Sequence, residues 1–381
     1  NSKEFNFIKE KDIKIKNKLD TYSLKKIRTN LWFSKVQGNS TAYVSEHKES
    51  IILTTATGLI FSIKKNELSD DTRIKHKLIQ SNISDFIFNK EFYLRSNIGI
   101  KDTLVNKNFL YLSFSNEIKP NCFNVGILRA KINNQFLEFK KFFSSSECMS
   151  ASNAKYKFFS NGQSGGRLQA YGKDILLSHG SFSLFEEVQD PKSIFGKILL
   201  ITDDGKSSKV FSMGHRNPQG LFYDKSKKII VETEHGPNGG DEINIIQYKK
   251  NYGWPLASYG KHYKGQIKMN EYYPLPNEHK GFETPAKFFQ KSVAISQIIS
   301  VPKKYSNKNS DIFFLATMKI NNDYGNEINI LELEFVDNKF YIKDIIPINE
   351  RIRDIIYSDS LNSVIMFLDS SASVAILKKI N

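Results

Sequence analysis

His215-Arg216-Asn217-Pro218-Gln219-Gly220-Leu221 opens the segment whose reading decides the fold. Asp224-Lys225-Ser226 follows, then an apolar run from Ile229 that closes at His235-Gly236. The order is a polar rim, a short strand, a turn, a second strand and a corner. The same order occurs at Gly165-Gly166-Arg167-Leu168, Tyr171-Gly172-Lys173-Asp174 and Ile175-Leu176-Leu177-Ser178-His179-Gly180. It occurs again at Arg351-Ile352-Arg353-Asp354-Ile355, Ser358-Asp359 and 364–369. One such unit cannot bury its apolar face alone, so copies must stack. Radial stacking makes a β-propeller and sends equivalent positions of each copy to one rim. Gln163, His179, Arg216, Asn217, His235 and Arg353 are therefore expected on one rim, although they lie far apart in the chain.

The rest of the chain agrees with an all-β reading. Helical periodicity is nearly absent. Short apolar runs recur at 50–55, 59–63, 109–114, 175–178, 197–201, 228–232, 311–316, 328–335 and 364–368. Each is rich in β-branched or aromatic residues and is closed by Gly, Asn, Asp or Ser, the pattern of strands. No linker rich in Gly, Pro or Ser interrupts them. Residues 31–381 are expected to form one propeller domain, with the lysine-rich stretch 1–30 as an arm or a closing strand.

Composition excludes several classes. Among 381 residues, 40% are apolar and 25% charged, which suits a packed globular chain. No run approaches the ~18 apolar residues of a membrane helix. Two cysteines, Cys122 and Cys148, cannot build a zinc framework, but can pair in an oxidising compartment. The 55 Lys+Arg exceed the 40 Asp+Glu by 15. The lysines are scattered and form no cluster interleaved with aromatics, so a nucleic-acid partner is not expected. The chain begins at Asn1 rather than Met, consistent with removal of an N-terminal segment such as a signal peptide.

The chemistry concentrates in three segments: Gly214 to Leu221, Glu234-His235-Gly236-Pro237-Asn238-Gly239-Gly240-Asp241-Glu242, and Asn251-Tyr252-Gly253-Trp254-Pro255. Together they suit an anionic planar ligand. Arg216 offers a fork of donors to a carboxylate. Asn217 can bond a ring carbonyl, and Trp254 or Tyr252 can stack on a flat ring. The Gly236-Pro237 turn exposes carbonyls, and Asp241 and Glu242 add carboxylates, all oxygen donors that suit calcium.

These motifs resemble the glucose/sorbosone dehydrogenase family. It includes soluble quinoprotein glucose dehydrogenase and the aldose sugar dehydrogenases, six-bladed β-propellers that use pyrroloquinoline quinone (PQQ) and calcium. Weaker matches at Gly99-Ile100-Lys101-Asp102, Ile194-Phe195-Gly196-Lys197 and Arg351-Ile352-Arg353-Asp354 extend the resemblance over roughly residues 30 to 378. It implies that Arg216 and Asn217 hold PQQ, that Tyr252 and Trp254 line its pocket, and that the Gly236 and Pro237 carbonyls bind calcium. Glu242 with the Tyr252 backbone resembles a further calcium site. Asn97 falls near a sugar-contacting position, and Lys319 is the candidate cation of the later blades. The resemblance further implies a periplasmic or secreted protein, monomeric or homodimeric, with an aldose as substrate and the electron acceptor left open.

Two positions depart from the family. Gln163 stands where the family places its catalytic histidine, and Ser181 where an aspartate orients that histidine. An amide cannot take a hydroxyl proton near neutral pH. His179 is the candidate substitute, because an imidazole titrates there. Two functions therefore remain: a PQQ- and calcium-dependent dehydrogenase that oxidises the C1 hydroxyl of an aldose to a lactone with a non-standard base, or a degenerate non-catalytic propeller that binds a sugar, a quinone cofactor or a protein.

Overall fold

The structure is a computed structural model that describes residues 4–32, 40–68, 73–87, 99–150, 161–263, 276–324 and 327–380. The chain folds into six largely antiparallel sheets, the blades of a six-bladed β-propeller. Its residues fall into two compact units: 1–109 with 131–138 and 296–381, and 110–130 with 139–295.

In the first unit, the strands Ala42–His47, Ser50–Thr55, Ile60–Lys64 and Lys77–Ser81 form one meander. Ile295–Val301, Asp311–Thr317, Asn329–Val336 and Lys339–Pro347 form a second. The third has Ile352–Ser358, Ser363–Leu368 and Ser373–Lys379, and takes its next strand, Thr21–Thr29, from the other end of the sequence. Val374 faces Ile27 and Leu377 faces Leu24 across that pairing. Thr21–Thr29 alternates because Tyr22, Leu24 and Ile27 are buried, while Lys25 and Lys26 are only half-buried. Phe7, Ile27, Val44, Leu53, Phe61, Ile365 and Phe367 meet in one apolar core.

The second unit carries the candidate site. Gly165–Tyr171, Asp174–His179, Lys197–Ile201 and Ser208–Met213 form one sheet. Pro218–Asp224, Ile229–Glu234, Asp241–Ile246 and Lys287–Phe289 form the next. Leu176, Ile198, Leu200, Phe211, Leu221, Ile230, Ile246 and Tyr252 pack into one core cluster. At about 25 cal/mol per Å² of apolar surface removed from water, such clusters dominate the stability of a blade stack. A disulfide joins Cys122 to Cys148. It anchors the end of Cys122–Lys131 beside Met149–Ser150, which pairs with residues 122 and 123.

All three repeats seen in the sequence begin with a register shift. It falls between Gly165 and Leu168, between Pro218 and Gly220, and between Ile352 and Asp354. A β-bulge puts an extra residue in one strand and re-aims its side chain. Arg167, Gln219 and Arg353 lie within these three bulges.

Candidate active site

Arg216 is the centre of the site. It precedes Pro218–Asp224 and is buried. Its Nη1 donates to the carbonyls of His235 at 3.0 Å and Gly236 at 2.8 Å. Its guanidinium carbon lies 5.2 Å from the centre of the Trp254 ring, within cation–π range. Glu234 pins the loop from beneath, because its carboxylate accepts the backbone N–H groups of Arg216 and Asn217. The Asn217 side-chain oxygen accepts from Gln219 at 3.0 Å. Among the described residues, two buried donors here have no partner, the Arg216 Nε–H and the Trp254 indole N–H. Both residues line a cavity of about 10 Å³, together with Glu234, Gly236, Glu242 and Tyr252. That volume holds one water or ion. Burial holds the Arg216 guanidinium below its ordinary pKa.

Gln163 and Ser181 meet, as the family resemblance implies. The Ser181 hydroxyl donates to Gln163 Oε1 at 3.5 Å, and the Ser181 N–H donates to the Arg216 carbonyl at 2.8 Å. The half-buried amide is thus tied through one serine to the Arg216 loop. An amide and a hydroxyl occupy the two positions that would need an imidazole and a carboxylate.

His179 requires a correction. It is fully buried, with a ring edge against Phe195 and its face near Phe182. Its Nδ1 bonds the Gly180 carbonyl at 3.0 Å, and its Nε2 accepts the Val125 N–H at 3.1 Å. Burial lowers its pKa to about 3. Both nitrogens are bonded inside the protein, so His179 cannot reach a substrate proton.

The proposed calcium turn also differs from expectation. The Gly236 carbonyl already accepts from Arg216, and the Pro237 carbonyl accepts from the Tyr263 hydroxyl at 2.8 Å. A guanidinium on one of these carbonyls opposes a cation on the same atom, so Gly236 and Pro237 do not fit calcium while Arg216 holds this position. Asp241 is already engaged by protein donors. One of its oxygens accepts the Gly236 N–H, and the other accepts from Ser292 and the N–H groups of Val293 and Ala294. Glu242 does fit a small hard cation, since it lines the cavity with Glu234 and Tyr252. Burial, then Glu234, pushes its carboxyl pKa well up, the cost a cation would offset. His279 Nε2 stands 3.4 Å from Glu242, and burial lowers its pKa. The Tyr252 ring serves the core rather than a ligand face: it stacks on His215 at 5.0 Å, and its hydroxyl donates to the Ile245 carbonyl.

Sequence reasoning missed the acidic residues behind Arg216. Glu232 and Glu234 sit in Ile229–Glu234, which read as an apolar strand, and Asn244 sits beside them in Asp241–Ile246. The alternating acids of Ile229-Ile230-Val231-Glu232-Thr233-Glu234 were the available signal. In the first unit, Arg353 forms an ion pair with Asp369 at 2.7 Å, and Arg351 donates to the Met318 carbonyl. Lys101 lies near Arg353, and burial followed by that charge lowers its ammonium pKa to about 7. Lys319 is exposed at the turn after Asp311–Thr317. Asn97 lies outside the described residues.

Comparison with known proteins is consistent with this architecture. Over 150 residues the chain is 35% identical to the aldose sugar dehydrogenase YliI of Escherichia coli, across 35% of this chain and 38% of the relative. It is 39% identical over 83 residues to quinoprotein glucose dehydrogenase B of Acinetobacter calcoaceticus, across 19% of this chain and 17% of the relative. These matched stretches thus span well under half of either relative's length. Among solved structures, the apo soluble aldose sugar dehydrogenase of E. coli superposes with a TM-score of 0.70 at 20% identity, covering 94% of this chain and 99% of that one. The PQQ-bound aldose sugar dehydrogenase of Streptomyces coelicolor gives 0.64 at 16%, covering 94% and 98%. At such identities the superpositions show the fold alone. No helix among the described residues is long and apolar enough to cross a membrane. The profile described as Glucose / Sorbosone dehydrogenase matches residues 48–378, so the chain belongs to that family.

Proposed function

We propose that the chain is a PQQ-dependent dehydrogenase that oxidises the C1 hydroxyl of an aldose to a lactone. One observation supports it above all: a buried arginine, fixed on two carbonyls and facing an indole, retains an unpartnered N–H. Together with the free indole N–H and the adjacent Asn217 amide, this donor set suits a carboxylate edge of a flat quinone. The 10 Å³ cavity admits one small group and not the ring, so the quinone body would lie outside it. When bound, PQQ supplies a hydride acceptor, and a calcium ion at Glu242 would keep that carboxylate ionised.

The chain's own contribution is binding and orientation. Arg216 and Asn217 hold the anion, Glu234 keeps their loop rigid, and Trp254 offers an apolar face. Gln163 Oε1 can accept a bond from a sugar hydroxyl and aim it, but cannot remove its proton. Turnover by this protein is therefore expected to be slow. The Gln163–Ser181 pair equally favours the second reading, a propeller that binds cofactor or sugar without oxidising it. A periplasmic or secreted setting belongs to the same proposal and is supported by the disulfide.

The test titrates the protein with PQQ in calcium buffer and follows quinone absorbance, then dye reduction with a panel of aldoses. Wild type should bind PQQ, and Arg216→Ala should weaken binding at least ~10-fold, the loss of one charged hydrogen bond. Gln163→His with Ser181→Asp should raise dye reduction by about 10²-fold, the scale of a restored general base. Binding without turnover, rescued by the double variant, would establish the non-catalytic reading. No binding at all would remove the cofactor reading as well.

A further inference from the structure

Behind the Arg216 loop lies a second polar centre that the proposed reaction does not use. His215, Glu232 and Glu234 each present one atom, and these atoms all lie within 4.8 Å of one another. His215 Nδ1 is 3.4 Å from Glu234 Oε1 and 4.0 Å from Glu232 Oε2. All three side chains are buried, His215 and Glu232 completely. Ligands about 2.1 Å from a common metal stand roughly 3–4 Å apart, so the spacing suits one ion.

Three further observations favour a cation here. The first is charge. Glu232, Glu234, Asp241 and Glu242 are all buried, and Arg216 is the cation whose charge reaches Glu234 and Asp241. Among the described residues, no lysine or arginine forms an ion pair with Glu232 or Glu234. Buried carboxylates without a counter-charge either bind a metal or take up protons. The second is unsatisfied polarity. Glu232 Oε1 and Asn244 Oδ1 are buried without a partner. The Asn244 amide touches both carboxylates through its nitrogen, at 3.1 Å and 3.3 Å. Rotating that amide by half a turn puts its oxygen there instead, which an ion would favour and two carboxylates alone would not. The third is orientation. His215 Nε2 bonds Ser212 Oγ at 2.8 Å, and the ring is stacked on Tyr252. With its proton on Nε2 and donated to Ser212, His215 presents Nδ1 as a lone pair toward the glutamates, the arrangement of metal-bound imidazoles.

We propose that His215, Glu232 and Glu234, with the Asn244 amide oxygen, form a buried site for a divalent transition ion of the zinc or manganese class. One imidazole nitrogen with several oxygens is a mixed donor set that suits such ions better than calcium. The site shares Glu234 with the wall of the Glu242 cavity but not Glu242 itself, does not depend on PQQ, and locks the Arg216 loop from below through Glu234.

The experiment uses the full chain in calcium buffer. After chelation, zinc chloride or manganese chloride is supplied to the native protein and, in parallel, during refolding from urea. Metal is measured after desalting, and melting is followed against ion concentration. Wild type should retain about one equivalent of zinc or manganese and melt progressively higher with added ion. Glu232→Gln should bind at least ~10-fold more weakly, the scale expected for loss of a charged ligand. It should also melt higher than wild type without metal, because one uncompensated buried charge is gone. Glu242→Gln should still take up zinc or manganese. Equal uptake by wild type and Glu232→Gln would reveal a surface ion only and overturn the site. Wild-type melting that neither ion moves, by either loading route, would show the carboxylates sharing protons instead and would also overturn it.

Discussion

At the residue scale, His179 shows how burial changes the meaning of a side chain. Its pKa falls to about 3 because an imidazolium there would lose its water. The unfolded chain, near 6.5, binds a proton that the folded chain refuses between those two values. Stability from this site is therefore complete above the unfolded value and is lost as pH falls from 6.5 toward 3. His179→Gln keeps a donor and an acceptor but does not titrate, so its urea midpoint should drop less than wild type's between about pH 7 and about pH 4.5. Equal drops would assign the acid sensitivity to another group. The family resemblance did imply that Gln163 and Ser181 face each other, because they hold the positions of a histidine and the aspartate that orients it. It did not reveal that His179 points inward. Alternation tells which strand residues share a face, but the contact of that face with Val125 is set by another strand. Nor could the motif show that Arg216 already bonds the Gly236 carbonyl, one of the two assigned to calcium, since that depends on a side-chain torsion.

At the element scale, the three repeats are legible for a physical reason. Each begins with a bulge, and a bulge needs particular residues at its corner, so the pattern reaches the sequence. Gly165 and Gly166 have φ values of 64° and 114°, where a side chain is strained, and Gly166 is followed by the re-aimed Arg167. Arg167 then donates to the Gln219 carbonyl at 2.6 Å, linking the bulges of two adjacent sheets. The disulfide belongs to this scale too. Cys122 and Cys148 are 26 residues apart, and the bond constrains the loop that carries Glu147. Glu147 in turn accepts from Ser193 and from the Ile194 N–H. Losing the bond should cost about 2–4 kcal/mol. The Cys122→Ser, Cys148→Ser variant should melt several degrees lower than wild type, and wild type in strong reductant should approach it. Unchanged melting in both would mean that the hairpin is held by its pairing alone.

At the scale of the whole molecule, the closing strand matters most. Residues 1–30 read equally well as an arm or a closing strand, because the lysines of Thr21–Thr29 mask its alternation. In the structure Thr21–Thr29 pairs with Ser373–Lys379 over seven positions, from Ser373↔Arg28 to Lys379↔Tyr22. Deleting residues 1–30 removes Phe7 and Ile27 from the core and bares a strand edge. The truncated chain should elute as soluble aggregate on size exclusion and lose its cooperative melt. A monodisperse truncation that melts like wild type would show that the strand only decorates the sheet.

That pairing also governs timing. The two strands lie almost a full chain length apart, so their meeting is among the longest-range contacts the protein can make and is slow for that reason. During synthesis Thr21–Thr29 emerges first and must wait for Ser373–Lys379. In that interval Thr21–Thr29 stands unsatisfied, and it can accept the Ser373–Lys379 strand of a finished neighbour as readily as its own. Dilution, or a binding protein that shields Thr21–Thr29, should therefore improve the yield of native protein even where equilibrium stability is unaltered.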